Sequence, residues 1–126
     1  MYQQQKRLDT LAEDYTFIDS WQTGDILERL SGSRPQTDLD IVAESPVRAC
    51  KTETYLSPDC SLRIVRELVY VGPKREIVLD QATISSPDQN KVKYTVTKIN
   101  EYFADIPLTF KRNGFSEIFQ FGKHTR

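Results

Sequence analysis

The chain has 126 residues, 38% of them apolar, and a formal net charge of −1, a size that fits one domain burying roughly 65–70% of its unfolded surface. No stretch approaches ~18 consecutive apolar residues, which excludes a helical membrane span, and Val, Ile, Leu and Phe are spread along the whole length, which argues against a disordered chain. The charge is uneven: residues 1–45 carry four basic and nine acidic side chains, and residues 46–126 carry thirteen and nine.

In chain order, Met1–Arg7 is polar and lacks the apolar core of a signal peptide, so the expected location is the cytoplasm. Leu8, Leu11, Ala12, Tyr15 and Ile18 recur at helical spacing, and Thr10-Leu11-Ala12-Glu13 has the form of a capping box, which predicts a helix starting near Thr10. A second, short helix from Asp25 to Leu30 follows Gly24 and stops at Ser31-Gly32, with Gly32 as its C-terminal cap. Residues 31–38 read as a loop.

Strand patterns follow at Leu39–Glu44, Val47–Leu56, Ser61–Val71, Arg75–Ser85 and Lys91–Thr97, separated by proline-containing turn clusters. Short connections between successive strands make an antiparallel meander. Ile106–Arg112 and Phe115–Gly122 flank Asn113-Gly114, the dipeptide favoured in type I′ turns. This turn pairs Phe110 with Glu117, Leu108 with Phe119 and Ile106 with Phe121, giving one largely apolar face. Residues 98–105 fit neither pattern. The expected fold is a single α+β domain, residues 1–126, with N-terminal helices packed on a curved antiparallel meander that ends in a β-hairpin. The alternative is a lipocalin-like β-barrel, because a long meander can close on itself.

Centring the turns fixes a strand register. It sets Lys51, Arg66, Gln81 and Tyr94 side by side on a face that is otherwise apolar, between a row of Leu68, Leu79 and Val96 and a row of Ile64, Thr83 and Val92, with Tyr70 beside Ile77 further along. The row reads in two ways. It is a half-buried pocket in which Arg66 and Lys51 hold an anionic group oriented by Gln81 and Tyr94, or Arg66 is paired with a carboxylate from the acidic N-terminal helices. A different register would disperse the row. On the opposite face the same register makes Glu67 and Asp80 neighbours, flanked by Cys50 and Thr95, and adjacent carboxylates are a general acid–base arrangement. Cys50 and Cys60 fall too far apart for a disulfide and are expected as free thiols. With one histidine, at the C-terminus, neither a metal site nor a Cys-His catalytic pair is expected, and no cofactor is implied.

Two segments, Trp21-Gln22-Thr23-Gly24-Asp25 with Leu27 and Leu30, and Lys98-Ile99-Asn100-Glu101-Tyr102-Phe103-Ala104-Asp105, resemble the SnoaL-like, NTF2-like superfamily. There the first is a junction between two helices and the second a late strand. The resemblance implies a cone-shaped pocket between helices and sheet, used for catalysis, ligand binding or assembly, with Tyr102 and Asp105 on its wall. The chain departs from that pattern in lacking material for a third helix at residues 31–38 and in adding the C-terminal hairpin.

The function expected from these features is that of a non-catalytic accessory protein binding a partner protein or a small ligand. It would use the helix–sheet pocket (Lys51, Arg66, Gln81, Tyr94, Tyr102, Asp105) or the hairpin phenylalanines Phe110, Phe115, Phe119 and Phe121, which pack either within the domain, the favoured course, or on another chain, a second copy included. A small enzyme of isomerase, dehydratase or hydrolase type acting in the pocket is one alternative. Nucleic-acid binding through the basic second half, with Lys74-Arg75, Lys111-Arg112 and Lys123 as contacts, is another.

Overall fold

The computed structural model describes residues 15–17, 20–43, 47–104, 108–113 and 116–124. In chain order these form strand β1 (Tyr15–Phe17), helix α1 (Ser20–Ser31), strands β2 (Gln36–Val42), β3 (Arg48–Leu56), β4 (Arg63–Val71) and β5 (Glu76–Ser85), helix α2 (Gln89–Tyr102), and strands β6 (Thr109–Asn113) and β7 (Ser116–His124). All strands belong to one antiparallel sheet of order β1-β7-β5-β4-β3-β2. One side of β7 pairs with β5. The other is shared end to end, with β6 along residues 116–120 and β1 along residues 122–124. The fold is therefore α+β with an open sheet, not a closed barrel.

The two described helices lie on the same face of the sheet. α1 buries Thr23, Ile26 and Leu27, which share a helical face, and ends at Gly32, whose φ of +80° and N–H bond to the Glu28 carbonyl (2.9 Å) close the last turn. α2 is opened by Asp88, whose side chain accepts from the Asn90 N–H at 2.9 Å. It buries Val92, Thr95 and Ile99, and Phe103 follows at the next turn. Against these pack Tyr55, Ile64, Ala82, Ile84, Phe119 and Phe121 from the sheet. The Phe103 and Phe121 rings lie 5.7 Å apart in a tilted arrangement, and Phe119 and Phe121 stack at 6.3 Å.

Several expectations are corrected here. Tyr15–Phe17, assigned to a first helix, is a strand, and the remainder of that helix lies outside the described residues. Lys91–Thr97, read as the fifth strand, is helical. Alternation of Val92, Tyr94 and Val96 imitates a strand, but Asp88 supplies a cap and the 92–95–99–103 spacing supplies a buried helical stripe, which wins because it covers the core. The described helices thus stand at two places in the chain, one before the meander and one between β5 and β6. Lys98–Tyr102 ends α2 and is not a strand.

Three registers also differ. The β3–β4 loop runs from Ser57 to Leu62, longer than the turn Ser57–Cys60, because Asp59 gathers it. Its Oδ1 accepts from Ser57 Oγ (2.7 Å), Ser61 N (3.0 Å) and Ser61 Oγ (2.7 Å), while Cys60 takes φ 61°. This shifts the pairing by two residues, so Glu53, not Lys51, lies across from Arg66. In β4–β5, Tyr70 pairs with Ile77 as expected. Val78 is then an unpaired extra residue on β5, and from Val69↔Leu79 onward the register has moved by one. That single residue exchanges the faces of the rest of β5. The C-terminal hairpin forms, but its register is displaced by two residues, so that Asn113 pairs with Ser116 and Phe110 with Phe119, not with Glu117.

Candidate ligand site between helix and sheet

The face that carries α1 has one polar cluster at its centre, and the corrected register assembles it. Arg66 projects from β4 beneath α1. Its Nε donates to Asp80 Oδ1 at 2.8 Å and its Nη2 to Asp80 Oδ2 at 2.6 Å, a two-point grip that matches guanidinium to carboxylate. Its Nη1 donates to Glu53 Oε1 at 3.3 Å. The same Glu53 oxygen accepts from the Tyr55 hydroxyl at 2.7 Å, and Oε2 faces Lys51 Nζ at 3.2 Å. Arg66 is 2% exposed, Asp80 0% and Glu53 8%, so one cation and two carboxylates lie inside the fold, and the half-exposed Lys51 completes the neutralisation from the cleft. Charges this deep persist only when each is paired.

The electrostatics follow the geometry. Burial pushes the Asp80 carboxyl above the usual carboxylate range, and the Arg66 guanidinium offsets this only in part. Burial also works against an ionised Glu53, but the Tyr55 hydroxyl bond and the charges of Arg66 and Lys51 outweigh it and hold that carboxyl below its ordinary value. Burial, then the bond to Glu53, raises the Tyr55 phenol.

Gly24 lets the helix approach this cluster. A Cβ at that position would stand 3.1 Å from Arg66 Nη1 and 3.5 Å from the Tyr55 hydroxyl. Beside it opens a cleft of about 410 Å3. Lys51, Glu53, Tyr55, Arg66, Leu68 and Tyr70 form its floor, Ser20, Trp21, Asp25 and Glu28 its helical wall, and Pro35 stands at its rim. The Trp21 side chain, on the wall, is 80% exposed.

Of the residues assigned to the row, Lys51 and Arg66 meet in this cleft. Gln81 does not. The Val78 bulge turns it to the opposite face, where its Nε2 donates to Glu67 Oε1 at 2.9 Å. Tyr94 is on α2, 61% exposed, with Lys98 Nζ 5.5 Å from its ring centroid, and it lines a separate hollow of about 580 Å3 with Asp59, Ser61 and Lys91. Tyr102 is exposed at the end of α2, and Asp105 lies outside the described residues. The carboxylate for Arg66 comes from the sheet itself, through Glu53 and Asp80, and not from the N-terminal helices. The Glu67–Asp80 pair does not exist, since the same bulge puts the two on opposite faces.

The hairpin phenylalanines are corrected in part. Phe119 and Phe121 are fully buried in the core and present no surface to a partner. Phe115 and the Phe110 side chain lie outside the described set. Cys50 and Cys60 are free thiols.

Sequence reasoning missed Glu53, Tyr55, Gly24 and Trp21 as members of the site, and it singled out Asp80 but on the wrong face, beside Glu67 instead of Arg66. Lys51, Glu53 and Tyr55 share one face by simple alternation, so Glu53 was visible as a neighbour of the row. Asp80 was not, because nothing in Glu76–Ser85 announces the bulge. Compared with protein-family models, curated proteins and solved structures, the chain matches none.

Proposed function

We propose that this chain is a non-catalytic binding module whose ligand site is the cleft between α1 and strands β3 and β4. The ligand class that suits the cleft is a small zwitterion carrying a planar ring, with the chemistry of an aromatic amino acid. The observation that carries this reading is the split of charge between floor and wall. Lys51 keeps ammonium protons beyond its one bond to Glu53, and Glu28 on the wall has no ion pair among the described residues. Trp21 and Tyr70 line the same cleft and offer ring faces.

Binding is favoured over catalysis because the acid–base groups on the floor are already engaged with one another. Glu53 accepts from three donors, and Asp80 is closed off behind Arg66. The second hollow supports catalysis no better. There Lys91 Nζ donates to Ser61 Oγ and to Asp59 at 3.0 Å, and Ser61 Oγ donates to Asp59 Oδ1. But the bonds from Ser61, Ser57 and Lys91 hold that carboxyl well below the usual carboxylate range, which makes it a poor base for the hydroxyl. Nucleic-acid binding has less support again: Lys74 and Arg75 sit at the β4–β5 turn, and Arg112 on β6 is spent on Glu117.

Trp21 is the single tryptophan of the chain, so its emission reports on the cleft. Titration with L-phenylalanine, phenylacetate and phenethylamine is expected to give a saturable change that is largest for the zwitterion. Lys51→Met should weaken L-phenylalanine and phenylacetate and leave phenethylamine unchanged. No saturable response to any of the three, or responses that ignore Lys51→Met, would remove the reading.

A further inference from the structure

Among the described residues β2 is the outermost strand on its side of the sheet, and all seven of its residues are exposed. Alternate backbone N–H and C=O groups of such a strand have no partner across the open edge. Natural edge strands are usually short or carry lysine or proline as protection, and β2 carries neither. On the helix side, beside Ala49 and Lys51 of β3, it shows Leu39 at 58% and Ile41 at 60% exposure. On the other side it shows Asp38 and Asp40. These face Thr52 and Cys50 across the pair and make no ion pair or side-chain hydrogen bond among the described residues. Arg48, across from Val42, pairs with neither. Glu67, across from Thr52 on β4, adds a third carboxylate to that side.

We propose that the β2 edge is a docking site for an extended segment of another protein, added to the sheet as a further strand. The segment alternates apolar residues with lysine or arginine. Its backbone pairs with β2, its apolar residues cover Leu39 and Ile41, and its cations sit across from Asp38 and Asp40.

Charge selects this occupant over a second copy of the chain. Two β2 strands related by a two-fold axis pair antiparallel with their faces preserved. In every such register overlapping five or more strand residues, an aspartate lies directly across from an aspartate: Asp38 on itself, Asp38 on Asp40, or Asp40 on itself. Like charges directly opposite are destabilising. The same two residues that hinder self-pairing favour a basic strand, which serves specificity through attraction to one partner and repulsion of another. This site is separate from the cleft and stands or falls independently of it.

The test uses the full chain and three blocked peptides of seven residues: a basic one, KIKVKIK, its acidic counterpart, EIEVEIE, and KIKVKIK methylated on alternate backbone nitrogens. Calorimetry should show binding of the basic peptide, no binding of the acidic one, and loss of binding on methylation. The Asp38→Lys/Asp40→Lys variant, whose changes are confined to exposed positions, should bind the basic peptide about tenfold or more weakly and take up the acidic peptide instead. Slowed amide exchange in β2 on adding the basic peptide is the signature of backbone pairing. Equal binding of the methylated and unmethylated peptides, no binding of either charged peptide, or concentration-dependent dimers that the double variant disrupts would each overturn the proposal.

Discussion

Arg66 holds Asp80 through two parallel hydrogen bonds although the two residues are not opposed in the sheet. Arg66 faces Ala82, and Asp80 stands one diagonal step away on β5. The diagonal leaves the far end of the guanidinium free to reach Glu53 on β3, so one arginine ties together three adjacent strands.

Removing one partner should cost far more than removing both. Arg66→Met or Asp80→Leu alone strands a buried charge and is expected to lose about 3–5 kcal/mol. The double variant substitutes apolar volume for the pair and should lose less than either single change, with Glu53 still held by Lys51 and Tyr55. Urea denaturation of the four proteins closes the cycle. Additive losses would mean that the pair is not coupled.

Tyr55 sets an alkaline limit. Burial and the Glu53 bond raise its phenol above the ordinary 10.0, so the folded chain keeps the proton to higher pH than the unfolded chain does. The stabilisation is therefore complete below pH 10.0 and is lost as pH rises through the folded-state value, with a slope of about 1.4 kcal/mol per pH unit. Tyr55→Phe should cost about 1–3 kcal/mol at neutral pH by removing a donor from Glu53. The difference from the parent should shrink when melting is followed from pH 9 to pH 11, about one unit either side of the ordinary value. A difference that stays constant across that range contradicts the assignment.

Gly24→Ala tests how firmly the cluster is held. Helix propensity alone favours alanine by roughly 0.8–1.0 kcal/mol. The new methyl would meet Arg66 Nη1 at 3.1 Å, and Arg66, held by Asp80 and Glu53, yields only by straining those bonds. The net change is expected to be destabilising, by about 1 kcal/mol. A rise in melting temperature would show that helix and sheet separate more readily than this contact implies.

The α+β class, the order of β2 to β5, the Gly32 cap and the hairpin at the C-terminal end were legible because each rests on short-range chemistry: alternation, turn residues and caps. The polar row was half legible. Its face was recognised from Leu68 and Ile64, and the pairing Tyr70↔Ile77 was right next to its turn. What failed was propagation along the strand. The side-chain bonds of Asp59 lengthen one loop, and Val78 inserts into one strand, and neither leaves a mark in local hydrophobicity. Residues 91–97 failed differently. A run that alternates and also fits a helical stripe is settled by which surface covers Phe121 and Ile84, a fact of tertiary packing.

The bulge at Val78 also governs how this protein could vary. β5 presents Asp80, Ala82 and Ile84 to the interior only because Val78 stands outside the ladder. Were Val78 drawn into the ladder, those three would turn outward, Gln81 and Thr83 would turn inward, and Arg66 would lose Asp80. Deleting Val78 does the opposite: Leu79 then follows Ile77 directly and every later residue keeps its present partner on β4. A descendant lineage could therefore drop this one residue and keep its interior, whereas a second extra residue in the same strand would oblige it to rewrite the half that follows.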